Sequence, residues 1–488
     1  MDKFFSIRER GSNVRLEIIG GLTTFFAMAY ILFVNPTQVA AGGATGWLVE
    51  LGAPAEVMGQ IWNAVYIASI LVAIAGTLLM ALYARMPFAQ ACGMGLNAFF
   101  CTCFVSAAFF SGTDVVAGYQ SGLVIIFLSG IVFLILSATG LRSYIAKAMP
   151  EALKQAIPAG IGLFIAFIGF QNAGVIQANQ YTLLQFFDFH SIIAKVGTDG
   201  FTAANALAEC APALVALIGL LLIGIFSHYK LKGAVILGIL VSTVLYYLMT
   251  WQLPSFDVSQ IGQSFHDFGE IGFLGLFNAD AWHNAFFSPY VGGIFSAIVL
   301  IISFCLVDMF DTVGTLYGTA SEAGMLDENG DPIAVDKCML CDSIGTVTGA
   351  VLGTSTCTTF VESASGVAAG ARTGLASLVT AACFVVCLFL SPLASIIPSC
   401  ATAPALIFVG VLMLKSFAKV DMSDYRCAVP AFLTLIMMPM TYSISNGIGI
   451  GSIAYVILTL FAKKYSKRDI VITIIAILFI FKFVTVSM

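Results

Sequence analysis

Apolar and polar positions alternate along this chain on the scale of whole segments rather than single residues. Runs of about 20 apolar residues, the length that crosses roughly 30 Å of hydrocarbon, recur from end to end and leave most of the charge to the stretches between them. The pattern predicts spans over 17–40, 61–84, 88–108, 116–139, 152–171, 212–227 and 233–250. A wet loop is expected over 251–289, then a second series over 291–318, 337–352, 355–371, 374–391, 402–418, 427–443 and 446–463. An apolar segment, 469–487, is left over and either crosses the bilayer or lies along its interface. The reading is an all-α polytopic membrane protein of 14 transmembrane segments: repeats over 1–250 and 285–468, then a C-terminal apolar segment, 469–488.

An odd number of spans per half makes the second half enter the membrane from the opposite side, the plan of an inverted repeat. "PEALKQAIPAGIGLFIAFIG" (150–169) and "PSCATAPALIFVGVLM" (398–413) carry a faint trace of it: a proline, a short gap, then Pro-Ala and a helix with a glycine.

Two spans break the apolar pattern at corresponding places. The third contains "MPFAQACGMGLNAFF" (86–100) and the tenth "GTSTCTTFVESASGV" (353–367), the latter with seven hydroxyl residues and a glutamate. Their Gly, Pro, Ser and Thr residues suit a short extended strand that then turns helical. Broken hydrophobic segments at matching positions point to a transporter's binding site, because irregular backbone at membrane depth survives only when buried in protein or lining a cavity. Six extended residues cover about 20 Å and a twelve-residue helix about 18 Å, so the junction is expected near mid-bilayer. Glu362 then falls in the first turn of one half-helix and Asn97 just after Gly93 and Gly95 in the other. Helix N-termini bring unpaired N–H groups and partial positive charge, and the two together would form a polar socket. The bland alternatives stay open here. Glu362 caps its own helix or sits protonated in a packed interface; Asn97 is an N-cap or an interhelical hydrogen bond.

The eighth span supplies more acid. In "LVDMFDTVGTLYGT" (306–319), Asp308 and Asp311 are spaced i, i+3 and share a helix face, continued by Thr312, Thr315 and Thr319. Ionisable groups inside spans are costly and by default functional; this pair calls for a cavity, a cation or a proton, unless it is a helix-end pair facing the cytoplasm. Asp342, in "KCMLCDSIGT" (337–346), either orients the neighbouring half-helix or plays a purely structural part.

Composition narrows the class. The 488 residues are 59% hydrophobic and 10% charged, which excludes a soluble domain of this size, and the net charge of -5 comes mostly from loops. No basic patch is interleaved with aromatics, so nucleic acid is not expected as a partner. Most of the twelve cysteines, such as Cys101, Cys103, Cys383 and Cys387, sit in apolar runs as small hydrophobes rather than disulfide partners. There is no P-loop pattern and hence no sign of ATP-driven pumping. His190, His228, His266 and His283 lack metal-ligand spacing, and "DENGDP" (327–332) puts Pro332 where a calcium loop requires glycine. No metal and no cofactor are expected.

Lys and Arg set the orientation. Lys3, Arg8, Arg10 and Arg15 precede the first span; Arg142, Lys147 and Lys154 follow the fourth, and Lys230 and Lys232 the sixth. Lys415, Lys419 and Arg426 follow the twelfth, and Lys463, Lys464, Lys467 and Arg468 the fourteenth, whereas 251–289 and 392–401 contain neither residue type. A cytoplasmic N-terminus follows, in a multi-pass protein of the cell (inner) membrane. The acidic loop 321–336 is the one stretch that sits oddly with this scheme.

"GSNVRLEIIGGLTTFFAMAYILFVNP", "GMGLNAFF", "DMFDTVGTL" and "GTSTCTTFVESASGV" resemble, in order, the signatures of the adenine/guanine/hypoxanthine permeases, the AzgA-like branch of the nucleobase–cation symporter-2 family. The resemblance covers nearly the whole chain. It implies a core domain (about 17–139 plus 291–391) sliding in an elevator-like motion against a gate domain (about 152–250 plus 402–463). It implies import of purine bases by proton symport, the proton being the coupling ion, and a possible homodimer. Carried over to this chain, Asp308 and Glu362 would bind the purine with Asn97, Thr359 and Phe360, while Asp311, Asp342 and Thr312 would serve proton coupling or site architecture. Phe99, Phe100, Phe310 and Phe360 are candidates for stacking on the base. Two rivals stand beside this reading. An anion transporter or channel of the same architecture would place a cation near the half-helix ends, but Arg372 comes only at the end of the tenth span. An intramembrane enzyme working through Asp308 and Glu362 would leave the two-fold repeat without a reason, so no enzymatic activity is expected.

Overall fold

A computed structural model describes residues 2–139, 149–179, 181–197, 201–231, 233–252, 254, 259–322, 325, 332–394 and 396–485. Arg142, Lys147, Lys232 and residues 327–331 of the acidic turn lie outside them, as do the side chains of Phe310 and Thr319. Each expected span coincides with a helix or with a strand followed by a helix. Among the described residues, seven helical stretches are long and apolar enough to cross a membrane: Val14–Val39, Ala55–Ala84, Val115–Ala138, Glu151–Asn172, Ala203–His228, Ser399–Lys419 and Ile444–Phe461. A helix satisfies every interior backbone group within itself, which hydrocarbon demands. Side-chain caps start several of them: Asn13 accepts from the Leu16 N–H, Asp114 from Val116 and Ser443 from Asn446. Leu221, Val244 and Leu248 remain exposed on the outer helices Ala203–His228 and Ala234–Thr250, as suits a surface solvated by lipid.

Two expectations are corrected. The sixth span begins at Ala203, not 212: a reciprocal cap between Thr202 and Asn205 starts the helix, and its alanine-rich first turns carry it through Pro212. The stretch 251–289 is not simply a wet loop. Ser259–Asp267 and Ala279–Phe287 are helices packed on Ala55–Leu79 and Val115–Ala138. Asp267 is buried there and accepts hydrogen bonds from Asn63 Nδ2 and Gln263 Nε2, both at 2.7 Å.

Four short strands occur among the described residues. β1 (Gln90–Cys92) and β4 (Cys357–Thr359) belong to the interrupted spans, while β2 (Ile176–Asn179) and β3 (Leu183–Phe186) form an unanticipated hairpin. Its turn is held by Asn179 Oδ1, which accepts from the N–H groups of Tyr181 and Thr182 at 2.7 and 3.0 Å. The leftover segment forms the helix Ile470–Thr485. Phe479 fills the space in front of Gly449, and the Phe481 and Phe295 rings meet edge-on at 4.6 Å, so this helix touches both Ile444–Phe461 and Gly293–Glu322.

The two segments with the trace of internal similarity pack against each other. A Cβ added at Gly410 would lie 2.4 Å from the Gly162 carbonyl oxygen, so Glu151–Asn172 and Ser399–Leu414 meet backbone to backbone, as small residues allow in membranes. Gly410→Val is expected to force them apart and cost about 1–3 kcal/mol, read as a lowered thermal midpoint of the purified protein.

Candidate functional site

β1 and β4 pair antiparallel, with Gln90 opposite Thr359, Ala91 opposite Thr358 and Cys92 opposite Cys357. The pairing is extended by Gly93 N–H donating to the Thr356 carbonyl and Phe360 N–H to the Ala89 carbonyl, each at 3.0 Å. Both strands are wholly buried. The interrupted spans therefore satisfy each other's extended backbone, which neither could do alone in an apolar interior.

Met94–Phe100 follows β1 and continues through a wide turn, Cys101–Ser106, to Phe110. The half-helix after β4 is shorter than the twelve residues expected: Ser363–Ala368 has 6. Gly370, at φ +107°, stops it, with Ala371 N–H donating to the Gly366 carbonyl at 3.1 Å and Gly370 N–H to that of Val367 at 3.0 Å. Just beyond, the fully buried Glu17 accepts from the N–H groups of Arg372 and Thr373 at 2.9 and 3.3 Å. Removing that acceptor by Glu17→Ala is expected to cost about 1 kcal/mol or more, measurable as a drop in the thermal midpoint.

The acids behave differently from one another. Asp342 is fully buried and well supplied with donors: Gln90 Nε2 at 2.9 Å, the Thr312 hydroxyl, and more distantly the Thr359 hydroxyl at 3.5 Å. Thr312 in turn contacts the Thr358 hydroxyl at 2.9 Å. Asp308, also fully buried, accepts from the Thr346 hydroxyl at 2.6 Å through Oδ2, while its Oδ1 has no partner among the described residues. Thr346 also bonds Cys357, through its carbonyl at 3.1 Å and its N–H at 3.2 Å. Asp308 and Asp342 are thus both tied to β4 through threonines.

Glu362 occupies the N-cap position of Ser363–Ala368, but its side chain makes no capping bond. It accepts instead from the Tyr30 hydroxyl at 2.5 Å, across 332 residues of sequence, and stays half-buried, as does Asp311. Asn97 is not an N-cap either; Gly93 holds that position, and both polar atoms of the buried Asn97 amide lack partners among the described residues. The Thr359 hydroxyl lies in the Gln90–Asp342 cluster, with Gln90 Nε2 at 3.4 Å. Phe360 is buried beside it. Phe99 and Phe100 already have ring partners, Phe304 at 4.8 Å and Phe104 at 5.3 Å.

Buried polar groups in proteins nearly always find partners, so the exceptions are informative. Among the described residues, the buried amide and carboxylate side chains with unpartnered atoms are Asn35, Gln38, Gln90, Asn97 and Asp308. Asn35, Gln38 and Asp308 lie on helices that pack against β1 or β4, Gln90 is in β1 itself and Asn97 in the half-helix that follows it, and the unpartnered hydroxyls of Ser355 and Thr356 lead directly into β4. An open carboxylate oxygen, an open amide and open hydroxyls can together meet a small ligand that both donates and accepts hydrogen bonds.

A sequence profile described as the permease family (Xan_ur_permease) matches residues 15–450. The chain belongs to this family. It is a transporter and not an enzyme. The permease is 40% identical over 471 residues to the guanine/hypoxanthine permease PbuG of Bacillus subtilis, covering 96% of each chain. It is 34% identical to the adenine permease AdeP of Escherichia coli, over 100% of this chain and 96% of that one. To the putative permease MJ0326 of Methanocaldococcus jannaschii it is 35% identical, over 100% and 99% of the two chains. Among solved structures it resembles SLC26A9, with a TM-score of 0.57 at 12% identity over 92% of this chain and 66% of that one. The transmembrane domain of the cyanobacterial bicarbonate transporter BicA gives 0.54 at 16% identity, over 89% and 97%. At such identities the likeness concerns the fold alone.

Tyr30, Gln90 and Thr346 join the site without having been expected from the motifs. Gln90 carried a signal as the lone amide in "MPFAQAC", and Thr346 one in standing a single turn beyond Asp342 on the same helix.

Proposed function

We infer that the permease imports purine nucleobases (guanine, hypoxanthine or adenine) together with a proton. The observation that carries this reading is that an Asp308 oxygen and the whole Asn97 amide are buried without partners among the described residues, on helices that touch each other, in a chain whose full-length relatives are named as purine permeases. A purine offers N–H donors and carbonyl or ring-nitrogen acceptors in one plane. Asp308 and Glu362 take the donors, and Asn97 serves an adjacent donor–acceptor edge with Phe360 beside it. Asp342, with Thr312 and Thr359, holds β1 against β4 as site architecture. Asp311, half-buried one turn from Asp308, is the coupling candidate. A buried carboxylate with no cation beside it is costly, and a proton taken up with a neutral base supplies the missing balance.

In this reading fourteen spans form two inverted sevens in a cell (inner) membrane, with the N-terminus cytoplasmic. A core (17–139 and 291–391) carries the base in an elevator-like movement past a gate (152–250 and 402–463), within a homodimer. Labelled hypoxanthine is expected to accumulate in proteoliposomes under an inward proton gradient, and a protonophore is expected to abolish the accumulation. Competition by unlabelled adenine, guanine and xanthine ranks the bases. The fold neighbours named as anion transporters keep one alternative in view: bicarbonate or sulfate flux without purine flux would contradict the purine reading.

A further inference from the structure

We propose that Gln38 is a second substrate-contacting amide, which together with Asn97 grips the edge of the base carrying the six-position substituent. The inference rests on the purine reading above and adds a residue that neither the motifs nor the acids pointed to.

Three observations place it. Gln38 is 3% exposed, and neither its Nε2 nor its Oε1 has a hydrogen-bond partner among the described residues. Burying a whole amide unsatisfied is costly, so the site is built for something that completes it. Its helix, Ile31–Val39, packs against Met94–Phe100, the half-helix that carries Asn97.

Contacts on both sides of Gln38 hold those helices together. On one side of Gln38, Asn35 Nδ2 donates to the Thr354 hydroxyl at 3.2 Å, and that hydroxyl lies 3.4 Å from Cys92 Sγ at the end of β1. On the other side, Ile31–Val39 also reaches the turn Cys101–Ser106 that follows the half-helix. Gln38 lies one turn beyond Asn35, and Asn97 lies between Cys92 and the turn Cys101–Ser106, so both open amides fall on the stretch where the two helices run side by side.

The two amides do not satisfy each other, as a purely structural pair would. Each carries an NH₂ donor and a carbonyl acceptor, and the edge of an oxopurine can be divided between them, its carbonyl accepting from one amide's NH₂ and its ring N–H donating to the other amide's oxygen. Adenine offers the same edge with the donor and acceptor exchanged, which an amide meets by turning over. Unsubstituted purine lacks the six-position group and meets only half of the arrangement.

The test is equilibrium binding of hypoxanthine, guanine, adenine and unsubstituted purine to the purified full chain. Gln38→Met keeps the side-chain volume without the amide. It is expected to weaken hypoxanthine and guanine roughly tenfold, the loss of about one to two hydrogen bonds, while shifting unsubstituted purine about threefold or less. A structural role alone would not separate the bases in this way. If Gln38→Met fails to reach the membrane, Gln38→Asn, which retracts the amide by one methylene, is expected to show the same separation. Variants that bind all four bases as the wild type does, or that lose all four equally, overturn the role of Gln38 and leave the purine reading standing. A wild-type protein that binds none of them overturns both.

Discussion

Asp308→Asn and Glu362→Gln are each expected to abolish uptake of labelled hypoxanthine, guanine or adenine while the protein remains in the membrane. Both substitutions keep the shape and the structural contact. The Thr346 hydroxyl, now 2.6 Å from Asp308 Oδ2, can still donate to the side-chain oxygen of an asparagine at position 308. Tyr30 can likewise donate to the oxygen of a glutamine at position 362. What changes is the second atom of each carboxyl, which becomes an NH₂ donor aimed at a donor on the base. A hydrogen bond to a charged group contributes about 1.5–3 kcal/mol, and reversing it also leaves an N–H group of the base unpaired. The combined loss is roughly 100-fold or more in transport efficiency, and neither variant can exchange a proton at that position. The check is initial-rate uptake normalised to the amount of protein in the membrane. Full transport by both variants would sink the assignment of these acids.

Asp342→Ala is expected to fail in another way, by loosening the fold at the strand pair. Its carboxylate receives Gln90 from β1 and Thr312 from Gly293–Glu322, with Thr359 of β4 close by. Alanine leaves those donors buried without an acceptor, at about 1–3 kcal/mol for each one stranded. The thermal midpoint of the purified protein should fall by several degrees, and transport should fall with it. Asp308→Asn, by contrast, should melt close to the wild type. An Asp342→Ala protein as heat-stable as the wild type would show that the carboxylate does not hold β1 to β4.

Both expectations turn on contacts that sequence alone could not supply. The apolar helices were legible because hydrocarbon tolerates so little polarity, and Glu362, Asp308 and Asp342 stood out against that background for the same reason. The breaks in the third and tenth spans were legible from their glycines, proline and threonines. The register of β1 on β4 was not, since three-residue strands carry no pairing code of their own. Tyr30 and Glu362 are brought together across 332 positions and Gln90 and Asp342 across 252; no local periodicity reports such a distance. Pro212 reads as the boundary of the sixth helix, whereas its actual start lies in the Thr202–Asn205 cap. The helices within 259–287 were hidden by their polarity, Asn63 and Asp267 being satisfied only through each other and their neighbours.

An experimental structure of the permease with hypoxanthine bound would report most directly on the seat itself. The account predicts the base beside β1 and β4, within hydrogen-bonding distance of Asp308 Oδ1 and of the Asn97 amide. A base bound elsewhere, with Asp308 Oδ1 and Asn97 still unpartnered, would contradict it.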